Sequence, residues 1–345
     1  MAMDASNEFS PFRLWAFLTG TFLYAFREFY VVLLNANKFE DGRTGYINYG
    51  FWNEGPSTRN PHANLAKAVT EQLDIRVMND HARDGQVNLL EIGCGLGQPA
   101  IDAVHSLGRF SLRIRSCPLF MQYPPGSNVN VTGVSIIPGH VAIANKLAAS
   151  AGLSSKITHH LCNATKIGAL QSAPFSGAYS CEVLSEIPDD GLRVFFSALY
   201  DVLPPGAEFS FADTVKTEAT PTPYTNSNQR MSPSHGFFKR LLLPIAPVVV
   251  TMMWGDDWRP ASKFNALLTQ AGFEIVSTEF IGDRVFVPTW EYGRDRIKKR
   301  PSMGMDGSPF KAWAARILTR ASLCGTALLW ESGQIDYALV KARRV

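Results

Sequence analysis

The 345-residue chain predicts an α/β fold: a doubly wound, seven-stranded sheet with helices on both faces. Three observations predict it. From Val87 onward, short apolar runs alternate with longer helical stretches, the pattern of a parallel sheet with crossover helices. The first run, Val87 to Ile92, breaks at Gly93, Gly95 and Gly97, and Gln98 onward reads as a helix. Gly152, Gly206 and Gly272 stand where further helices should stop.

The elements follow in order. Phe12 to Leu34 is crowded with Phe, Leu, Tyr and Val, and as a helix it would reach about 35 Å, the width of a bilayer. Arg27 and Glu28 lie inside it, and a charge near a bilayer centre costs about 2.5–3.5 kcal/mol. The stretch is therefore expected to pack on the main domain or to lie at a membrane surface rather than to span the bilayer. A signal peptide fits poorly, because no clean apolar run leads to an Ala-x-Ala site. A polar stretch and an aromatic loop, Gly45 to Gly55, complete an N-terminal unit of 1–60. The main domain, 61–345, opens with a helix over 61–79. Strands are expected at 87–92, 130–135, 156–161, 176–182, 207–213, 273–280 and 335–340. Helices are expected at 98–107, 139–150, 190–202 and 259–271. Three segments exceed what such a sheet needs: 108–127, 214–258 and 287–332, the last with a helix at 309–329. The second leaves the carboxyl edge of the sheet, where open α/β folds bind ligands, and with the third it could form a cap.

Composition narrows the function classes. Thirty-three basic against thirty acidic residues leave a charge of only +3, too little for nucleic acid as the main partner. The five cysteines are odd in number and scattered, with no Cys-x-x-Cys. That argues against a disulfide framework and a metal site, and for a reducing, cytoplasmic compartment.

The glycine turn reads Glu91-Ile-Gly93-Cys94-Gly95-Leu-Gly97-Gln98. Small residues there let the backbone pass close under a ligand. The spacing is offset from the dinucleotide fingerprint, and no Lys-Ser/Thr pair follows, so a phosphate-cradling loop is not expected. With Glu91 two residues before the first glycine, the segment resembles the first motif of class I S-adenosylmethionine (SAM) methyltransferases. That resemblance implies a Rossmann-like sheet whose last strand runs antiparallel, with SAM as cofactor. It also implies that Glu91, Gly93, Cys94, Gly95, Gly97 and Gln98 surround its methionine part. Val-Thr-Gly-Val-Ser135-Ile-Ile-Pro-Gly-His140 resembles the strand-2 pattern of sterol, tocopherol and cyclopropane-lipid C-methyltransferases, where ribose is held without the usual acid. Ser135 and His140 are then the ribose candidates. Asn163, with Ala164 beside it, matches the position facing the adenine amine, and an amide oxygen accepts that bond as a carboxylate does.

Glu182-Val-Leu-Ser-Glu186-Ile-Pro-Asp resembles a family segment in which a His serves some O-methyltransferases as base, and Glu186 stands in its register. Glu182, Glu186 and His235 are the catalytic candidates, and Glu182 also a cofactor contact. The loop Tyr46-Ile-Asn-Tyr49-Gly-Phe-Trp52 resembles the lid of lipid-acting methyltransferases, and more closely that of phthiotriolone-type lipid O-methyltransferases. Glu331-Ser-Gly-Gln-Ile-Asp-Tyr337 matches the same group's closing strand. Tyr49 and Trp52 either close over the sulfonium by cation–π contact or serve as core. The resemblance implies SAM-dependent methylation of a lipophilic small molecule in lipid or secondary metabolism. O-methylation leads, C-methylation of a sterol- or isoprenoid-like alkene is the alternative, and a non-catalytic SAM- or lipid-binding protein is the outside reading.

Overall fold

The computed structural model describes residues 46, 48–114, 128–170, 174–218, 258–299 and 323–345. The hydrophobic stretch 12–34 and His235 lie outside them. Among the described residues, no helix is long and apolar enough to cross a membrane.

The strands are β1 (Gln86–Ile92), β2 (Asn128–Ser135), β3 (Ile157–Leu161), β4 (Gly177–Cys181), β5 (Glu208–Lys216), β6 (Phe273–Phe280) and β7 (Ile335–Arg344). They form one sheet in the order β3-β2-β1-β4-β5-β7-β6. β1 through β5 are mutually parallel, and β7 inserts antiparallel between β5 and β6. The seven-stranded, doubly wound reading holds, including the reversed last strand. The helices are α1 (Pro61–Glu71), α2 (Ile75–Asp80), α3 (Gln98–Ile114), α4 (Pro138–Ser150), α5 (Asp189–Val202), α6 (Ala261–Gln270), α7 (Phe286–Lys299) and α8 (323–331).

Each face of the sheet carries its own core. On β7, Ile335, Tyr337 and Leu339 enter one cluster with Leu65, Val69, Leu89 and Phe286. Ala338, Val340 and Ala342, one residue out of phase, enter the other with Phe195, Phe196, Phe209 and Phe211. That is the period of two of a strand covered on both sides. α5 buries Leu192, Phe195, Phe196, Leu199 and Val202 at helical spacing, and each such side chain stabilises by about 1.5–3 kcal/mol. Asp189 and Asp190 occupy its first turn, where the helix dipole favours them.

The structure departs from the sequence reading in its boundaries. The helix expected over 61–79 is two helices, because the Asp74 carboxylate accepts the Arg76 amide at 2.8 Å and starts a new one. α3 continues to Ile114, so the first part of the 108–127 excess is helical. β5 extends to Lys216, drawn out by its pairing with Ile335 of β7. The segment 287–332 begins as α7 and closes as α8. Residues 115–127, 219–257 and 300–322, which hold the rest of these segments, fall outside the described residues.

Candidate active site

The strand order brings the candidates to one edge. Asn163 follows β3, Ser135 ends β2, the glycine turn follows β1 and Glu182 follows β4, on four neighbouring strands at their carboxyl ends. After β1 the backbone turns left-handed three times, with φ of 77° at Gly93, 49° at Gly95 and 90° at Gly97. Only glycine adopts such values without strain. The amides of Gly93 and Cys94 both donate to the Val134 carbonyl at 2.9 Å, which pins the turn to the end of β2. A Cβ on Gly93 would run into Val183, and one on Gly97 would stand 2.8 Å from the Ala144 backbone.

Beneath the turn, Glu91 is buried, and its Oε2 has no hydrogen-bond partner in the structure. Cys94 is buried as well. Burial, and then the Glu91 charge, push its thiol far up, so it is no nucleophile. Gln98 opens α3 and donates to Asp102 at 3.1 Å. Ser135 is nearly buried, and its hydroxyl accepts the Ile137 amide at 3.1 Å, holding the entry to α4. His140 lies half-buried in the first turn of that helix. Asn163 is exposed, and its Oδ1 accepts from the amide and hydroxyl of Thr165, each at 3.0 Å. It thereby caps the 3-10 turn Ala164–Ala169, in which Ala164 is buried.

Glu182 sits at the end of β4 with φ of 57°, a left-handed value that is strained for glutamate. Its Oε1 accepts the Tyr49 amide at 2.8 Å and the Tyr337 hydroxyl at 2.7 Å. Tyr49 packs edge-on against Phe286, with 5.6 Å between ring centres. Trp52 is 1% exposed, and its indole N–H donates to Thr289 at 2.7 Å and to the Tyr49 carbonyl at 3.1 Å. The Trp52 ring is thus turned into the protein, against Tyr292, and anchors the loop.

Glu186 ends the turn Leu184–Glu186 and is exposed at the rim. Below it lies a residue the sequence reading passed over. Asp213 of β5 is 1% exposed and accepts the Ser185 amide at 3.0 Å and the Thr214 amide at 2.8 Å. Burial pushes its carboxyl up to about 6, the nearby Glu186 charge adds to this, and the Ser185 hydrogen bond opposes it. The signal was present: an acid follows Phe209-Ser-Phe-Ala212 in a strand expected to be buried. Among the described residues, no group of His, Cys, Asp and Glu is placed to hold a metal ion.

An O-methyltransferase of Pyrenophora dematioidea is 25% identical to the chain over 236 residues, 68% of this chain and 71% of that protein. No family model matches the chain. Among solved structures, the [4+2]-cyclase SpnF superposes with a TM-score of 0.60 at 20% identity, covering 93% of this chain and 95% of that one. Geranyl diphosphate methyltransferase in complex with SAM superposes with a TM-score of 0.56 at 13% identity, covering 87% and 99%. A cyclase on the same fold illustrates that fold alone does not name a reaction. The chain has the class I methyltransferase fold and is similar in sequence to O-methyltransferases.

The residues at this edge fit SAM. The glycine turn presents bare backbone at the carboxyl edge, where a side chain at 93 or 97 would collide with the protein itself. Glu91 Oε2, buried on the strand that leads into that turn and 3.8 Å from His159 Nε2, makes no hydrogen bond and suits the cationic end of an amino acid.

Proposed function

We propose that the chain transfers the methyl group of SAM to a hydroxyl of a lipophilic small molecule. The observation that carries this reading is the rim carboxylate Glu186, on a turn held by the buried Asp213 beside the glycine turn and Glu182. The O-methyltransferase relative supports the choice of acceptor atom. SAM supplies a methyl group on a cationic sulfur. Gly93, Cys94, Gly95, Gly97, Gln98 and Glu91 would hold its amino-acid end. Ser135, His140, Asn163 and Ala164 would take the nucleoside, once Asn163 exchanges its contacts with Thr165.

The chemistry asks mainly for in-line positioning and exclusion of water. The acceptor oxygen forms a bond to the methyl carbon as the carbon–sulfur bond breaks, and Glu186 takes the hydroxyl proton and returns it to solvent. Asp213 supports this by fixing the Ser185 amide. The loop of Tyr49 and Trp52, with the N-terminal unit 1–60, would close the site. The stretch 12–34 would give a peripheral membrane contact that a carbonate wash releases.

A second reading is C-methylation of an alkene. The Glu182 carboxylate between the Tyr49 amide and the Tyr337 hydroxyl favours it, because a carboxylate among aromatic rings stabilises a carbocation. Calorimetry with SAM, then mass spectrometry of methylated products from an extract, tests both. Products carrying a methyl ether support the first reading, products methylated on carbon support the second, and absence of SAM binding removes both.

A further inference from the structure

The strained residue of the site, Glu182, is tied to segments far from it in sequence. Glu182 holds a left-handed backbone at the end of β4, where an extended strand would ordinarily carry straight on. Such strain persists only when surrounding contacts over-determine it. The contacts are specific: one carboxylate oxygen receives two donors from segments remote in sequence, Tyr49 in the aromatic loop and Tyr337 in β7. The Tyr337 hydroxyl is fully buried and is held to this oxygen from below. The Tyr49 peptide is gripped on both sides, its N–H by Glu182 and its carbonyl by the Thr289 hydroxyl at 2.8 Å.

The rest of the loop is fastened away from the strand ends. Phe51 donates to the Pro61 carbonyl at 2.7 Å, Trp52 to the Arg284 carbonyl at 2.8 Å, and Asn48 to the His62 carbonyl at 3.1 Å. These bonds fix the loop to α1 and to the segment ahead of α7. The Glu182 bond joins it to the carboxyl edge of the sheet. An oxygen engaged by two donors is placed to hold a segment rather than to collect a proton from substrate.

We propose that Glu182 is a positioning residue that latches the 48–52 loop over the cofactor edge and so sets how fast SAM and its demethylated product leave. Tyr337 aims the latch. The proposal rests on SAM binding at that edge.

The test follows SAM dissociation by rapid-mixing chase, together with amide hydrogen exchange over 46–54, in wild type, Glu182→Gly, Glu182→Gln and Tyr337→Phe. Glycine suits the backbone angle, so Glu182→Gly keeps the fold while losing the acceptor. Its SAM dissociation should quicken by about tenfold or more, the worth of a hydrogen bond to a charged group, and exchange at Tyr49 should quicken with it. Glu182→Gln keeps an oxygen for both donors and should stay within about threefold of wild type. Tyr337→Phe should fall between the two, and it carries the test alone if the glycine variant does not fold. Unchanged dissociation in folded Glu182→Gly, or in Tyr337→Phe, overturns the latch, even if melting temperature falls. Wild type that binds no SAM overturns the cofactor reading itself and the latch with it.

Discussion

Glu91 of β1 and His159 of β3 face each other across the intervening strand, with Oε2 and Nε2 3.8 Å apart and both side chains nearly fully buried. They can do so because the residue between them on β2 is Gly133, in register with both. A Cβ there would press into the His159 ring and stand 2.9 Å from the Cys94 Cβ and 3.1 Å from Glu91 Oε2. Gly133→Ala should therefore destabilise the fold by about 1–3 kcal/mol, the usual cost of overpacking. Because Glu91 and Cys94 must yield, SAM affinity should fall too. Denaturant unfolding and calorimetry measure the two effects, and wild-type values for both would show that this layer has slack.

The glycine turn gives a sharper test of cofactor binding. Gly95 holds φ of 49°, and Gly95→Val places a β-branched residue there. SAM binding should be lost while circular dichroism still reports a folded protein. Wild-type affinity in a folded variant would dissociate this turn from the cofactor.

Glu186→Gln keeps shape and hydrogen bonding but loses the basic oxygen. Turnover on a hydroxyl acceptor should drop by about 10²-fold, with SAM affinity nearly unchanged. Raising the pH should partly restore the variant as the acceptor ionises by itself. A loss of only a few-fold would leave positioning as the whole of the catalysis.

Asp213 makes stability depend on pH. Burial pushes its carboxyl up to about 6 in the fold from the usual 3.8 of a solvated aspartate, so between these values the folded state keeps a proton that the unfolded chain releases. Unfolding free energy should fall as pH rises through this window, by about 3 kcal/mol in full. Asp213→Asn cannot ionise, and its stability relative to wild type should rise by that order from pH 4 to pH 7. Parallel stability–pH curves for the two proteins would mean that Asp213 ionises normally.

Much of this protein was determined by local sequence. Apolar runs and helical spacing placed every described strand to within a few residues, because a strand covered on both faces must be apolar along its length. The glycine turn was legible because backbone geometry there admits one residue type. What sequence left open was decided by partners remote along the chain. Trp52 read equally as a ligand contact or as core until Thr289, 237 residues further along, supplied the bond that turns the indole inward. Glu182 read as a possible acid or base until Tyr49 and Tyr337 took one of its oxygens. His159 takes its buried place only because Gly133 opens the space beside Glu91. Asp213 drew no notice because an acid in a strand gains its meaning from the turn it holds. Local periodicity fixes which face of an element is buried, whereas hydrogen bonds and the fields that shift a carboxyl act over a few ångströms in space. Only the assembled sheet brings those few ångströms together.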